Sequence, residues 1–411
     1  MIDSKIKFKR NVATKLGLLI VAAITSYLFY FLMARMLSVE DYSLLYSLVA
    51  FTYLFSVPHE TIRTVVALYT VNLATKKQYG KIKGFFIEAL KTVFKYSFTL
   101  FLIFVALLPI LSKFFHASLE SLLIISFSLL TTFILPIIWG LLQGMQNFTH
   151  LGLNNCAETI IKLAIAFLFV TFGLGVNGAL ASIPIASLAA FLIGLWSIKD
   201  ILKKKTEKFR EHRKHLIRYS IAAFVIFLFF VAFYSVDIIL ARYFFPARIS
   251  GLYSGLSVIS KALLFISITI LRVMFPAVAE NKNTKKGKQI LKTAVLYILI
   301  ITYIFLLISI FIPEQLINIV VGTSYLEAAK NLKYLVIAAG FLSLSGAIVF
   351  YNLSLDWNKR LTARILGTLL FLEIALLIVF HRNLEQFIRV VLVVNILLFL
   401  ALLATLSIKR K

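Results

Sequence analysis

One cysteine in 411 residues, Cys156, excludes a disulfide and any multi-cysteine metal site. Acidic residues are scarce as well, 17 against 43 basic ones, and no two of them form a DxD pattern of the kind that holds a metal for sugar transfer. The six histidines, at 59, 116, 150, 212, 215 and 381, include no HExxH pair. The motifs GxxxxGK[ST] and GxSxG are missing too, so no P-loop and no hydrolase elbow is present. Long polar segments are also lacking, which leaves no outer loop large enough for a catalytic domain. The expectation is a protein that is not an enzyme and has no cofactor and no bound metal.

What the chain has instead is apolar length. Hydrophobic residues make up 61% of it and the mean hydropathy is +0.96, more apolar surface than a water-soluble core can hide. A hydrocarbon layer about 30 Å thick needs roughly 20 helical residues per crossing. Twelve runs of about that length can be drawn, at 16–37, 42–67, 96–113, 119–142, 157–172, 178–198, 217–241, 250–275, 293–313, 332–352, 361–381 and 386–408. They are too long for barrel strands, and backbone amides in lipid must be satisfied internally, so each is predicted to be a helix. The first run follows a basic head, but no A-x-A-like cleavage site comes after it, and it reads as a retained helix. Pro58 and Pro136 fall inside the second and fourth runs, where a lost backbone bond can kink or open a helix. The fold class is therefore an all-α integral membrane protein with twelve transmembrane helices.

The basic residues fix an orientation. With residues near a run's edge assigned to the adjoining loop, thirty-one of the 43 belong to alternate loops and the two ends, eight to the other loops, and four lie deep within runs. The positive-inside rule then puts both termini in the cytoplasm of a multi-pass protein of the cell membrane. The net charge of +26 is accounted for by this distribution and does not call for nucleic acid. Lys203 to Lys205 and Lys282 to Lys288 are placed to rest on anionic lipids of the inner leaflet.

The chain also repeats itself. At an offset of 207, Ala34 and Arg35 fall on Ala241 and Arg242, Ser43 on Ser250, Leu45, Tyr46 and Ser47 on Leu252, Tyr253 and Ser254, and Leu119 and Glu120 on Leu326 and Glu327. Two six-helix lobes are expected, 1–198 and 217–411, joined by a basic cytoplasmic linker at 199–216. Because six is even, both lobes enter from the same face and are related by an axis along the membrane normal, with a cleft along it. Ser182, Ala186, Ala190 and Gly194 on the sixth run, and Gly140 and Gly144 on the fourth, supply small faces for close helix packing.

Charges inside the runs are costly and so point to function, at about 2.5–3.5 kcal/mol or more for a basic or acidic group at mid-membrane. Glu60 and Arg63 follow Pro58, Glu158 and Lys162 share the fifth run, Asp237 is on the seventh, Lys261 and Arg272 on the eighth, and Glu373 on the eleventh. Arg63, Lys162 and Arg272 fall in the inner half and Lys261 nearer the middle. If they converge, they form a cationic, cytoplasm-facing pocket suited to phosphate or pyrophosphate. The alternatives are snorkelling for Arg63 and Arg272 and an intrahelical pair with Glu158 for Lys162. Asp237 is either a coupling site or a partner of Arg242 or of a helix-start amide. Glu60 is the other coupling candidate.

Several segments resemble a known family. The stretch Ala34 to Tyr42 followed by Tyr46 and Ser47 is similar to the first-loop signature of the polysaccharide biosynthesis membrane proteins, the lipid-linked oligosaccharide flippases, although Ser38 and Ser43 stand where Gly is common. Gly140, Gln143 and Gly144 with Gln146 and Asn147 resemble the mid-lobe motif. In the second half, Asp237 to Arg242, Gly251 to Ser254, Met274 to Pro276, Gly322 to Tyr325 and Ala328-Ala329 follow in the same order. The resemblance implies the fold of the multidrug/oligosaccharidyl-lipid/polysaccharide exporter superfamily and alternating access. It implies a polyprenyl-pyrophosphate-linked glycan turned from the cytoplasmic to the outer leaflet, with Arg63, Lys162, Lys261 and Arg272 as substrate-binding residues. Glycosyltransferases or a glycan polymerase would be its partners. Two rival readings are a cation-coupled multidrug exporter on the same fold and a membrane glycan polymerase or ligase.

Overall fold

A computed structural model describes residues 2–207, 214–281, 284–355 and 357–407. The expected linker's central stretch, 208–213, and Lys282 lie outside the described residues. The described chain is helical throughout. It divides into two compact units, Met1–Leu37 with Phe55–Arg213, and Ser38–Leu54 with Lys214–Lys411. This differs from a division at the linker alone, because a short stretch of the first half, Ser38–Leu54, packs with the second.

The reason lies in the second apolar run, which was expected to be one helix over 42–67. It is two, α2 at Val39–Tyr53 and α3 at Ser56–Thr75, following α1 at Ile2–Met36. The Ser38 hydroxyl caps α2 by accepting the Asp41 amide at 3.0 Å, and Glu40 and Asp41 sit in its first turn, where the helix dipole favours acids. Pro58 falls in the first turn of α3, a position that needs no backbone donor, so it starts a helix where a mid-helix kink was expected.

The first unit continues with α4 (Tyr79–Ala106), α5 (Leu108–Phe115), α6 (Leu119–Gly144), α7 (Phe148–Phe169), α8 (Gly175–Ser197) and α9 (Lys199–Leu202). Its centre is α6, which packs on α3, α4 and α8, with Leu135, Ile137, Ile138, Leu141 and Leu142 buried against Val66, Ile82 and Ala190. The turn between α7 and α8 needs positive φ at Gly173 (85°) and Gly175 (51°), values that glycine adopts without strain. Gly140 and Gly144 face α3 so closely that a Cβ would strike Val66 at the first and Thr70 at the second. Gly140→Val should accordingly overpack this seam and cost about 1–3 kcal/mol, seen as a lower thermal unfolding midpoint in detergent. An unchanged midpoint would show that α3 can move away.

The second unit adds α10 (Lys214–Phe233), α11 (Val236–Phe244), α12 (Ala247–Glu280), α13 (Lys285–Phe311), α14 (Pro313–Val320), a 3-10 segment at Thr323–Asn331, α15 (Leu332–Ser354), α16 (Lys359–Val379) and α17 (Leu384–Ala404). α15 is its most deeply buried long helix. α2 lies on α12, and the repeat-related Ser43 and Ser250 meet there, hydroxyl to hydroxyl at 2.8 Å. Arg242 Nη1 donates to Ser43 Oγ at 3.2 Å. A Cβ on Gly251 would collide with the backbone of Val39, so this approach requires glycine. Buried serines along α12 return their hydroxyls to its own carbonyls, Ser254 to Ser250 and Ser267 to Leu263, which lets a polar-rich helix stay buried.

Among the described residues, eight helical segments are long and apolar enough to cross a bilayer, and α10 with α11, bent by 43°, makes a ninth. One of the eight, Phe148–Ser197, contains both α7 and α8. Twelve crossings were expected from the sequence, against these eight or nine segments among the described residues. Large apolar side chains such as Phe172, Phe311 and Phe371 are exposed, as a lipid-facing surface requires.

Candidate functional site

Five of the eight charged groups expected inside the membrane collect in two places, one in each unit. In the second unit the bend between α10 and α11 falls at Tyr234 and Ser235, without proline or glycine. Lys261, on α12, donates to the Tyr234 carbonyl at 2.9 Å and to both oxygens of Asp237, the second residue of α11, at 2.8 and 2.7 Å. Tyr253, two turns earlier on α12, donates its hydroxyl to Asp237 Oδ2 at 2.6 Å. Lys261 and Asp237 are both buried. An ammonium inserted at a helix break is a recognised cause of a bend, and here it also compensates the carboxylate that begins the next segment.

Two sequence expectations change here. Lys261 was expected to face a wet cavity, yet its ammonium is engaged by Asp237 and Tyr234 inside the unit. The partner of Asp237 was sought in Arg242 or a helix-start amide, whereas it is Lys261; Arg242 turns instead to Ser43. Tyr46 and Tyr253, both within electrostatic reach of Asp237, were not singled out as site residues. The repeat carried the signal, since they are equivalents at the offset of 207. Glu373, on α16, is fully buried in the same neighbourhood, interacting electrostatically with Asp237, Lys261 and Tyr253. Arg272 is on the same helix as Lys261 but three turns on, about 16 Å along the axis, and is exposed. These two bases do not converge.

In the first unit, Arg63 of α3 is the centre. Its Nε donates to Gln143 Oε1 of α6 at 3.0 Å, and its Nη1 lies 3.6 Å from Glu60 Oε1, one turn earlier. The guanidinium carbon is 5.7 Å from the centroid of Trp139, within cation–π range. His59 meets the same ring edge-on at 5.4 Å. Trp139 is itself fixed: its indole N–H donates to Asn154 Oδ1 on α7 at 2.7 Å, and Asn154 donates to the Ala190 carbonyl on α8 at 2.8 Å. Arg63 keeps 22% and Glu60 47% of its side chain exposed, so this is a held but accessible guanidinium. The close seam at Gly140 and Gly144 is what brings Gln143 to Arg63. Gln143 was quoted in the mid-lobe motif without a role. Lys162 has different surroundings, its ammonium lying 5.1 Å from the Phe29 ring and 6.0 Å from that of Tyr30, both on α1. The pair with Glu158 is not among the ion pairs of the described residues.

Chemically, the two places differ. A planar guanidinium with a fixed rotamer and partial exposure suits a phosphate oxygen pair. A buried ion pair sealed by a tyrosine suits holding or switching structure. Among the described residues no group of three or more His, Cys, Asp or Glu is arranged to hold a metal ion.

Comparison with known proteins agrees with the architecture. The fold matches that of a multidrug resistance MATE family transporter of the MOP superfamily, with TM-score 0.76 and 11% identity over 93% of this chain and 94% of that one. It also matches the lipid II flippase MurJ, with TM-score 0.70 and 16% identity over 96% and 87%. An uncharacterized membrane protein of Methanocaldococcus jannaschii is 26% identical over 217 residues, 50% of this chain, and the match spans about half of that protein, 51% of its length. The chain is a multi-pass membrane protein. Residues 8–282 match the family model described as polysaccharide biosynthesis protein, and the chain belongs to that family.

Proposed function

We propose that this protein is a flippase for a polyprenyl-pyrophosphate-linked oligosaccharide, carrying it from the cytoplasmic to the outer leaflet of the cell membrane by alternating access, with both termini cytoplasmic. Membership of the polysaccharide biosynthesis family supports a glycan substrate. The observation that carries the reading is Arg63, a guanidinium oriented by Gln143, Glu60 and Trp139 and still partly exposed. A pyrophosphate offers paired anionic oxygens that match a guanidinium edge, while the prenyl chain needs only lipid. Arg272 and Lys162 are the further basic contacts in this proposal, and Lys261 joins them only on leaving Asp237. Asp237 and Glu60, the acids bound to these bases, are the coupling candidates.

The multidrug-exporter reading needs a membrane acid available to a cationic substrate. Asp237 is already matched by an ammonium, which weighs against it. In cells, loss of this protein should make the lipid-linked glycan accumulate on the cytoplasmic side while surface glycan disappears, as read by lipid extraction and surface labelling. Unchanged surface glycan with normal precursor levels would contradict the proposal.

A further inference from the structure

The guanidinium of Arg63 is partly engaged before any ligand arrives. Its Nε–H goes to Gln143 and its Nη1 is turned towards Glu60, so the acid and the base together carry no net charge. A phosphate diester brings one negative charge, whereas a pyrophosphate diester brings two, the second on a separate phosphorus. One guanidinium edge matches the paired oxygens of one phosphate. The other phosphate needs a further donor.

His59 is placed to supply it. It precedes Arg63 by four residues on α3, so the two side chains leave the same face of the helix with their Cβ atoms about 6 Å apart. Both meet one indole. The Arg63 guanidinium carbon lies 5.7 Å from the Trp139 centroid, and the His59 ring stands 5.4 Å from it with the planes at 89°. Trp139 is buried and held by Asn154, which fixes the floor under both groups. The imidazole is half-buried, and neither of its nitrogens has a hydrogen-bond partner among the described residues. A neutral imidazole carries one N–H, on either nitrogen. Beside an accessible guanidinium, and not claimed by the protein, that N–H is available to a ligand oxygen.

We infer that His59 is a specificity-determining residue that reads the second phosphate: Arg63 takes one phosphate of the pyrophosphate, and the His59 N–H donates to an oxygen of the other. A glycan lipid linked through a single phosphate has no oxygen at that place and is held through Arg63 without His59. The inference rests on the transport reading above and narrows its substrate to the diphosphate-linked class. A hydrogen bond to a charged group corresponds to roughly a tenfold to hundredfold difference in affinity.

Equilibrium binding to the full chain in nanodiscs tests this, with two probes: a geranylgeranyl chain joined to N-acetylglucosamine through a diphosphate, and the same lipid joined through a monophosphate. The wild type should bind the diphosphate probe at least about tenfold more tightly. His59→Phe keeps a ring against Trp139 without an N–H, and should lose that preference by weakening diphosphate binding alone. His59→Gln, whose amide still donates, should recover part of it, while Arg63→Ala should weaken both probes. A purely structural role for His59 would move both probes together, and that result overturns the inference, as does a preference that survives His59→Phe. If the Phe variant does not fold, the imidazole N–H resonance of histidine-labelled wild type, identified by its absence from His59→Gln, decides instead. It should shift with the diphosphate probe and stay in place with the monophosphate probe; any other pattern overturns the inference. Equal binding of the two probes by the wild type removes this inference and leaves the transport reading standing, whereas binding of neither removes both.

Discussion

Lys261→Met is expected to be among the most destabilising single substitutions in this chain. The change keeps most of the side-chain volume but removes the ammonium, leaving Asp237 inside the second unit with the Tyr253 hydroxyl as its remaining donor and the Tyr234 carbonyl without its partner. Breaking a buried pair by deleting one member costs about 3–5 kcal/mol, because an uncompensated charge is left behind. The midpoint of thermal unfolding in detergent should fall well below wild type. Adding Asp237→Leu removes the orphaned charge and should recover most of the loss, a coupling that a double-mutant cycle resolves. If Lys261→Met unfolds like wild type, or the second substitution adds to the damage, the pair is not what holds the bend.

Arg63→Ala is expected to have the largest effect on transport. Charge-assisted hydrogen bonds contribute about 1.5–3 kcal/mol each, which corresponds to roughly a tenfold to hundredfold loss in translocation of a pyrophosphate-linked glycan. Stability should change little by comparison, since the guanidinium is partly exposed and Trp139 keeps its bond to Asn154. Arg63→Lys retains the charge but not the planar fork, and should fall between the two. Gln143→Leu releases the Arg63 Nε–H and should weaken transport in the same direction. Flipping at the wild-type rate in Arg63→Ala, with the protein at normal level, would remove this residue from the site.

Much of this architecture was legible in the residues. Apolar run lengths give the helical membrane class; that Ser43 and Ser250, equivalents in the repeat at 207, touch each other is a structural finding the repeat did not announce. Gly140 and Gly144 were read as a packing face, and α3 lies against them. The break between α2 and α3 was hidden because no glycine, proline or charge marks residues 42–57, and the Pro58 that suggested a kink sits just after the break, where proline is tolerated. The bend at Tyr234 was hidden for a related reason: neither proline nor glycine marks it, and its cause, Lys261, lies 27 residues away. Pairing of Lys261 with Asp237 bridges 24 residues and two helices, a separation that no helical periodicity encodes. Arg63, by contrast, has a partner one turn away in Glu60, which helical spacing does reveal.

Reconstitution in vesicles is the most direct test of the central claim. A fluorescent glycan linked to a polyprenyl pyrophosphate is placed in both leaflets, and its accessibility to an impermeant quencher or glycosidase is followed over time, beside release of a trapped cationic dye. The account predicts that the wild-type chain equilibrates the glycan lipid between leaflets, that Arg63→Ala does so at least about tenfold more slowly, and that the dye stays trapped. Release of the dye with no movement of the glycan lipid would contradict it.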